Sequence, residues 1–202
     1  MSAVWIAPLQ AAHARLGLTL LDQAFATDPS LGWYLFAQRP GYAQRRRAYL
    51  DAYHAFHQHN ALPILGAWQG EALLGVSYFS PGSHSPDAPS LHSLGRTIEQ
   101  RCGADCLNRL DQLLEAFEQQ LPRADLARIE FIGVASGHQG QGIGSALLAA
   151  SLAWLRQNGC PGVALETGEA RNLPLYQRHG LQRVGVLQLP GLRQHYLQQV
   201  WA

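Results

Sequence analysis

Apolar positions along the chain switch repeatedly between helical and strand spacing. Val4 to Ala7 is a short apolar run that predicts a strand. From Leu9 to Ala26 the residues Leu16, Leu20, Leu21 and Phe25 recur at helical intervals, and Asp28-Pro29 stops that helix. Tyr49, Leu50, Tyr53 and Phe56 predict a second helix from Tyr42 to Gln58. Leu62 to Trp68 and Ala72 to Phe79 read as strands, and Gln69-Gly70-Glu71 between them has the length and chemistry of a tight hairpin.

The stretch from Pro81 to Pro89 is rich in Gly, Ser, Pro and Asp and predicts a loop, and Leu91 to Leu121 predicts helix broken near Gly103. Ile129 to Ala135 is the next strand, and it runs straight into the glycine-rich segment Gly137 to Gly144. Ser145 to Gln157 carries Leu147, Leu148, Leu152 and Leu155 along one side of a helix that Asn158-Gly159 ends. A strand over Val163 to Thr167 follows, then a short helix over Leu173 to His179 closed by Gly180. Leu181 to Leu189 and Gln194 to Trp201 form a last pair of strands around Pro190-Gly191. With no internal repeat or low-complexity tract, the alternation predicts a mixed α/β fold in a single domain over residues 1–202. Its central strand, glycine turn, helix and strand make one βαβ unit, with a right-handed crossover.

Composition narrows the function classes. A chain of 202 residues with 47% hydrophobic content can bury a core as one domain. Charged residues make up 14% and the formal net charge is +1, so nucleic acid is not expected as a partner. No stretch approaches the ~18 consecutive apolar residues that span a bilayer. The N-terminus also lacks a basic start followed by an apolar run. A cytoplasmic protein without a membrane partner is the expectation. Three cysteines, Cys102, Cys106 and Cys160, are an odd number that fits a reducing compartment. Cys102 and Cys106 could share a helix face and His54, His57 and His59 lie close together, but neither set has a zinc spacing, so no metal is expected. The run Arg45, Arg46, Arg47 reads as the solvated face of a helix.

The chemistry points to Val134-Ala135-Ser136-Gly137-His138-Gln139-Gly140-Gln141-Gly142-Ile143-Gly144-Ser145, set between a strand and a helix. Glycines there let backbone amides approach a ligand, and a helix N-terminus carries roughly half a positive charge. Such a turn suits a phosphate or pyrophosphate. It is not the dinucleotide fingerprint, because Ser145 stands at the third glycine position, and it lacks the Lys-Ser/Thr ending of a P-loop.

Gln139-x-x-Gly142-x-Gly144 resembles the Q/R-x-x-G-x-G/A signature of the GNAT acetyltransferases, in the strand–turn–helix context which that family requires. Glu166-Thr167 and the segment Asn172-Leu173-Pro174-Leu175-Tyr176-Gln177-Arg178-His179-Gly180-Leu181 are similar to a later family segment, with Leu181 where Phe is common. Ala24-Phe25 with Asp28-Pro29 is similar to the first-helix ending of many members. The likeness is strong from Glu130 to Leu181 and weak between Pro81 and Asp125, and Ser136 replaces a proline often found before the loop.

The resemblance implies a GNAT fold, a twisted mixed sheet of about seven strands flanked by helices, built on a βαβ core that binds acetyl-CoA. It implies that the amides of Gln139, Gly140, Gln141, Gly142, Ile143, Gly144 and Ser145 cradle the pyrophosphate, that Ile132 and Val134 pair with the pantetheine arm, and that Asn172 contacts the same arm. Tyr176 matches the tyrosine that protonates the departing thiolate, and a glutamate on the strand entering the loop can act as general base, which makes Glu130 the candidate. Strand alternation would place Glu130, Ile132 and Val134 on one face. The function so implied is transfer of an acetyl group to a primary amine by direct attack, and a homodimer is compatible with it. The alternative is a GNAT-like module that binds acyl-CoA without turnover, against which the presence of both Glu130 and Tyr176 argues.

Overall fold

The computed structural model describes residues 3–82, 87–121, 123 and 125–201. Seven strands form one mixed sheet: β1 (Trp5–Pro8), β2 (Ile64–Gln69), β3 (Ala72–Ser80), β4 (Ala127–Val134), β5 (Gly162–Thr167), β6 (Gln182–Leu189) and β7 (Leu192–Val200), in the order β1-β2-β3-β4-β5-β7-β6. All neighbours are antiparallel except β4 and β5. The tight hairpin read at Gln69-Gly70-Glu71 is present, with Gly70 at φ 59° between β2 and β3, and the last pair of strands turns at Gly191, φ 81°, with β7 starting at Leu192 rather than Gln194.

The helices are α1 (Ala14–Ala24), α2 (Pro29–Tyr34), α3 (Tyr42–His59), α4 (Ala88–Cys102), α5 (Ala104–Gln120), α6 (Ile143–Gln157) and α7 (Leu173–Arg178). Those before β4 pack Leu20, Leu21, Tyr49, Leu50 and Ile98 with Tyr78 and Phe131 into one buried cluster. On the opposite face α6 buries Leu147, Leu148, Leu152 and Leu155 against Phe79, Ile129, Val163 and Leu165. The sheet is therefore covered on both sides, as a mixed fold requires.

Three readings of the sequence need correction. Asp28-Pro29 ends α1 but also starts α2, since Asp28 accepts a hydrogen bond from Leu31 N at 2.8 Å and Pro29 sits in the first turn. Gly103, at φ 99°, divides the long helical stretch, so Cys102 lies on α4 and Cys106 on α5 rather than on one helix face. The arginine run is not a solvated face: Arg46 is buried and pairs with Asp22, and Arg45 donates to the carbonyls of Leu35, Phe36 and Pro40. Of the loop read at Pro81 to Pro89, residues 83–86 lie outside the described residues, and α4 already begins at Ala88.

The feature that positions the site is the parting of β4 from β5. Their parallel pairing covers only Ala127 with Val163 and Arg128 with Ala164, whereas β4 stays paired to β3 as far as Val134 and β5 to β7 as far as Thr167. At the closed end the backbones pack tightly around Gly162, where a Cβ would run into Gln199 O and lie 2.8 Å from Leu126 Cδ2. Gly162→Ala is expected to destabilise the fold by ~1–3 kcal/mol, because a backbone atom cannot yield as a side-chain tip can. Thermal unfolding should show a drop of several degrees at ~2–4 °C per kcal/mol. Gly137→Ala, which adds a Cβ with nothing within 4 Å, should leave the melting point unchanged.

Candidate active site

Past β4 the chain makes a short turn over Ser136–His138 and reaches α6 through Gly140 and Gly142, which hold φ 77° and 82°. Those left-handed conformations are why glycine stands at both positions. Gly142 caps α6, its carbonyl accepting from Ala146 N at 2.9 Å, and the amides of the first helical turn point out of the helix without intrahelical acceptors. Gly144 is an ordinary helical residue, and a Cβ there would meet Val134 Cγ2 at 3.6 Å and Leu175 Cδ2 at 3.9 Å, which is normal contact. Its bareness is therefore not demanded by packing.

A cleft of about 580 Å³ opens between this loop, the free edge of β4 and α7. Ile132, Val134, Gln139, Gly140, Gly142, Ile143, Gly144, Ser145, Asn172 and Tyr176 all line it. Gln141 does not: it is exposed and turns its amide toward Gly137 O at 3.3 Å. His138, Arg171 and Arg178 bring cationic or titratable groups to the same cleft. Ser145 and His179 hydrogen-bond at 2.7 Å and tie the start of α6 to the end of α7.

Behind the cleft, in the gap between β4 and β5, lies a buried chamber of about 90 Å³. Tyr176 lines both spaces. Burial pushes its phenol up to about 12, helped by the nearby Asp28 charge and opposed by a hydrogen bond with Asn172. The chamber's other walls include the rings of Tyr34, Tyr49 and Tyr53 and the carboxylates of Asp28, Glu130 and Glu166. Arg128 Nη2 donates to Glu166 Oε1 at 2.8 Å. Even so, burial leaves the Glu166 carboxyl above its ordinary value. On the α4–α5 side the chamber adjoins a cavity of about 800 Å³ with an apolar lining that includes Leu94, Ile98, Leu107 and Leu114, and the two share Tyr53, Leu110, Arg128 and Glu130.

The expectation that Glu130 shares a face with Ile132 and Val134 is overturned by a β-bulge. Tyr78 pairs with Phe131 and Phe79 with Ile129, so Glu130 is the extra residue and the alternation slips by one. Ile132 pairs with Ser77, which bonds Ser151 of α6, whereas Glu130 turns to the opposite face and accepts from His57 Nε2 of α3 and Ser80 Oγ. Burial raises the Glu130 carboxyl, but His57, Ser80 and Arg128 outweigh it and hold it below its ordinary value. Glu130 borders the chamber and the larger cavity but not the cleft beside the loop.

Asp28, Arg128 and the tyrosine trio were not singled out from the sequence. Asp28 carried a readable signal, since Asp-Pro is also a helix-start pair. Arg128 and the tyrosines carried none, because only packing brings β4, α2 and α3 around one space. Among the described residues no group of three His, Cys, Asp or Glu side chains is placed to hold a metal ion, and no helix is long and apolar enough to cross a membrane.

Residues 30–181 match the sequence model of the Acetyltransferase (GNAT) family. No curated protein matches the chain significantly. Among solved structures, a histone acetyltransferase HPA2 and related acetyltransferase from Corynebacterium glutamicum has a TM-score of 0.72 at 22% identity, over 100% of this chain and 98% of that one. An agmatine N-acetyltransferase variant in its apo form gives 0.69 at 14% identity, over 98% and 99%. A GNAT acetyltransferase from Brucella melitensis in complex with acetyl-CoA gives 0.58 at 16% identity, over 100% and 90%. At such identities the likeness is one of fold, and the family rests on the sequence match together with the strand–loop–helix geometry: this chain belongs to the GNAT family of acetyltransferases.

Proposed function

We propose that the protein transfers an acetyl group from acetyl-CoA to a primary amine by direct attack. The observation that carries the reading is the gap between β4 and β5, opening beside the N-terminus of α6 and bordered by Tyr176. The unpaired edge of β4 at Ile132 and Val134 would accept the pantetheine arm as a neighbouring strand, with Asn172 facing it across the cleft. Amides from Gln139 to Ser145 would hold the pyrophosphate at the positive end of α6. The donor is the ligand with which the Brucella melitensis relative is solved.

The amine would enter from the other side, through the cavity and chamber on the α4–α5 face, where Glu130 and Glu166 attract its positive charge. Holding amine and thioester in one gap supplies much of the acceleration. An alkylamine near pKa 10.4 must first lose a proton, which costs on the order of 4 to 5 kcal/mol at neutral pH. Glu130 is poorly suited to take that proton, since its lowered pKa weakens it as a base.

Tyr176 would serve the departing sulfur. With its pKa pushed up to about 12, the phenol stays protonated through the working range. A complete handover to a thiolate with a conjugate-acid pKa near 8.5 is then uphill by ~5 kcal/mol. Tyr176 therefore acts first as a hydrogen-bond donor to the developing thiolate. Transfer completes as the amine's proton replaces the one Tyr176 gives.

Acetyl-CoA is expected to raise the melting temperature, since ligand at 100 times its dissociation constant adds ~2.7 kcal/mol to the folded state. Gly144→Asp should keep the fold, because the added Cβ finds ordinary contacts, yet lose coenzyme A binding in calorimetry by placing a carboxylate in the first turn of α6. Unchanged affinity would overturn the pyrophosphate assignment. Tyr176→Phe should lower kcat by ~10² to 10⁴ in a thiol-release assay, with little change in acetyl-CoA affinity. A wild-type protein that binds acetyl-CoA but releases no thiol with any pooled primary amine would instead be a binding module.

A further inference from the structure

We propose that Asp28, the residue that caps α2, takes the proton from the attacking amine, an assignment that rests on the acetyl-transfer reading above. The donor cleft and the buried chamber share Phe25, Asp28, Ile132, Asn172 and Tyr176. Among the carboxylates that line these spaces, Glu130 and Glu166 border only the chamber and Glu169 only the cleft, so Asp28 alone borders both. The bond between nitrogen and acetyl carbon must form where the two spaces meet.

Asp28 is held there by its own structural duty. Its carboxylate accepts from the amides of Leu31 and Ser30, and Ser30 Oγ in turn accepts from Gly168 N at the end of β5 and donates to Gln194 at 2.8 Å. A carboxylate has about four lone-pair sites, so two amide bonds leave capacity for an ammonium proton. Burial raises its pKa to about 6, against the two amides that lower it and with Glu169 and Glu166 adding repulsion. A base poised near neutrality is the efficient kind.

The other titratable and charged groups lining the spaces around it are Tyr176 and Arg178 on α7, Tyr34 on α2, Tyr42, Tyr49 and Tyr53 on α3, Arg128 and Glu130 on β4, Arg109 on α5, His138 in the loop and Arg171 before α7. Arg128 is neutralised by Glu166, and Arg171 by Glu169. Arg109 donates to Trp33 O at 2.6 Å, and among the described residues no cation forms an ion pair with Asp28.

The step balances as follows. The ammonium gives one proton to Asp28, which passes it to solvent, and the free amine's lone pair forms the N–C bond. The C–S electron pair leaves with sulfur. Sulfur takes the Tyr176 proton, and the second amine proton restores Tyr176. One acetamide, one thiol and one released proton result.

Asp28→Asn separates the roles, because asparagine caps a helix about as well as aspartate but cannot accept an ammonium proton. The probes are propylamine, which is protonated at pH 7, and O-ethylhydroxylamine, which is of similar size and already neutral. Asp28→Asn should melt within a few degrees of wild type and lose ~10² to 10⁴ in kcat/KM with propylamine, while staying within a few-fold of wild type with O-ethylhydroxylamine. The acidic limb of the wild-type propylamine profile, near pH 6, should vanish in the variant. Glu130→Gln should keep that limb and act mainly on KM for the amine.

Equal losses with both nucleophiles, or no loss with propylamine, would overturn the assignment and leave Asp28 as a cap. If Asp28→Asn failed to fold, Asp28→Ser, which also caps, carries the same comparison. Acetyl-CoA binding without thiol release from wild type with either probe would overturn the transferase reading itself.

Discussion

Beyond Arg128 the backbones of β4 and β5 no longer reach each other, although each stays hydrogen-bonded to its outer neighbour. Amides and carbonyls along the inner edge of β4 are left without a strand partner in the middle of a sheet, where a dry unsatisfied group costs about 1–3 kcal/mol. That edge is open to hydrogen bonds from water or a ligand. Everything else at the site is arranged around it: α6 starts at the mouth of the gap, α7 puts Tyr176 at its border, and α2 lays Asp28 against its side. Gly162 lets β5 lie close against β7 at the paired end, and β5 stays paired to β7 as far as Thr167 after it has parted from β4.

The bulge at Glu130 divides the labour between the two faces. Before it, Ile129 packs on the α6 face, and after it Ile132 and Val134 do the same, so the inserted residue is delivered to the α3 face with Phe131. In the proposed reading, that one added residue would give β4 a side for the thioester arm and a side for the charged acceptor. The acidic residues around the chamber do not behave alike. Glu130 is stabilised as a carboxylate by His57 and Ser80, Glu166 is matched with Arg128, and Asp28 has backbone amides but no cation. Burial raises all three, and the partners that oppose it differ from one to the next.

Residue order alone determined a good deal about this protein. The glycine loop between a strand and a helix is legible because left-handed backbone needs glycine at Gly140 and Gly142, and the hairpins at Gly70 and Gly191 follow the same rule. Leucine spacing marks α6 and Asn172 to Tyr176 mark α7, since local periodicity reports which side of an element is buried. The tertiary structure decided the rest. Whether two parallel strands stay paired depends on what stands on their outer edges, and a bulge in β4 depends on the register of β3; neither is a local property of the chain. Asp28 reads locally as a helix cap, and it is one. Only the meeting of α2 with the open end of β5 puts its carboxylate beside Tyr176, because distances between residues far apart in sequence are set by packing and not by spacing.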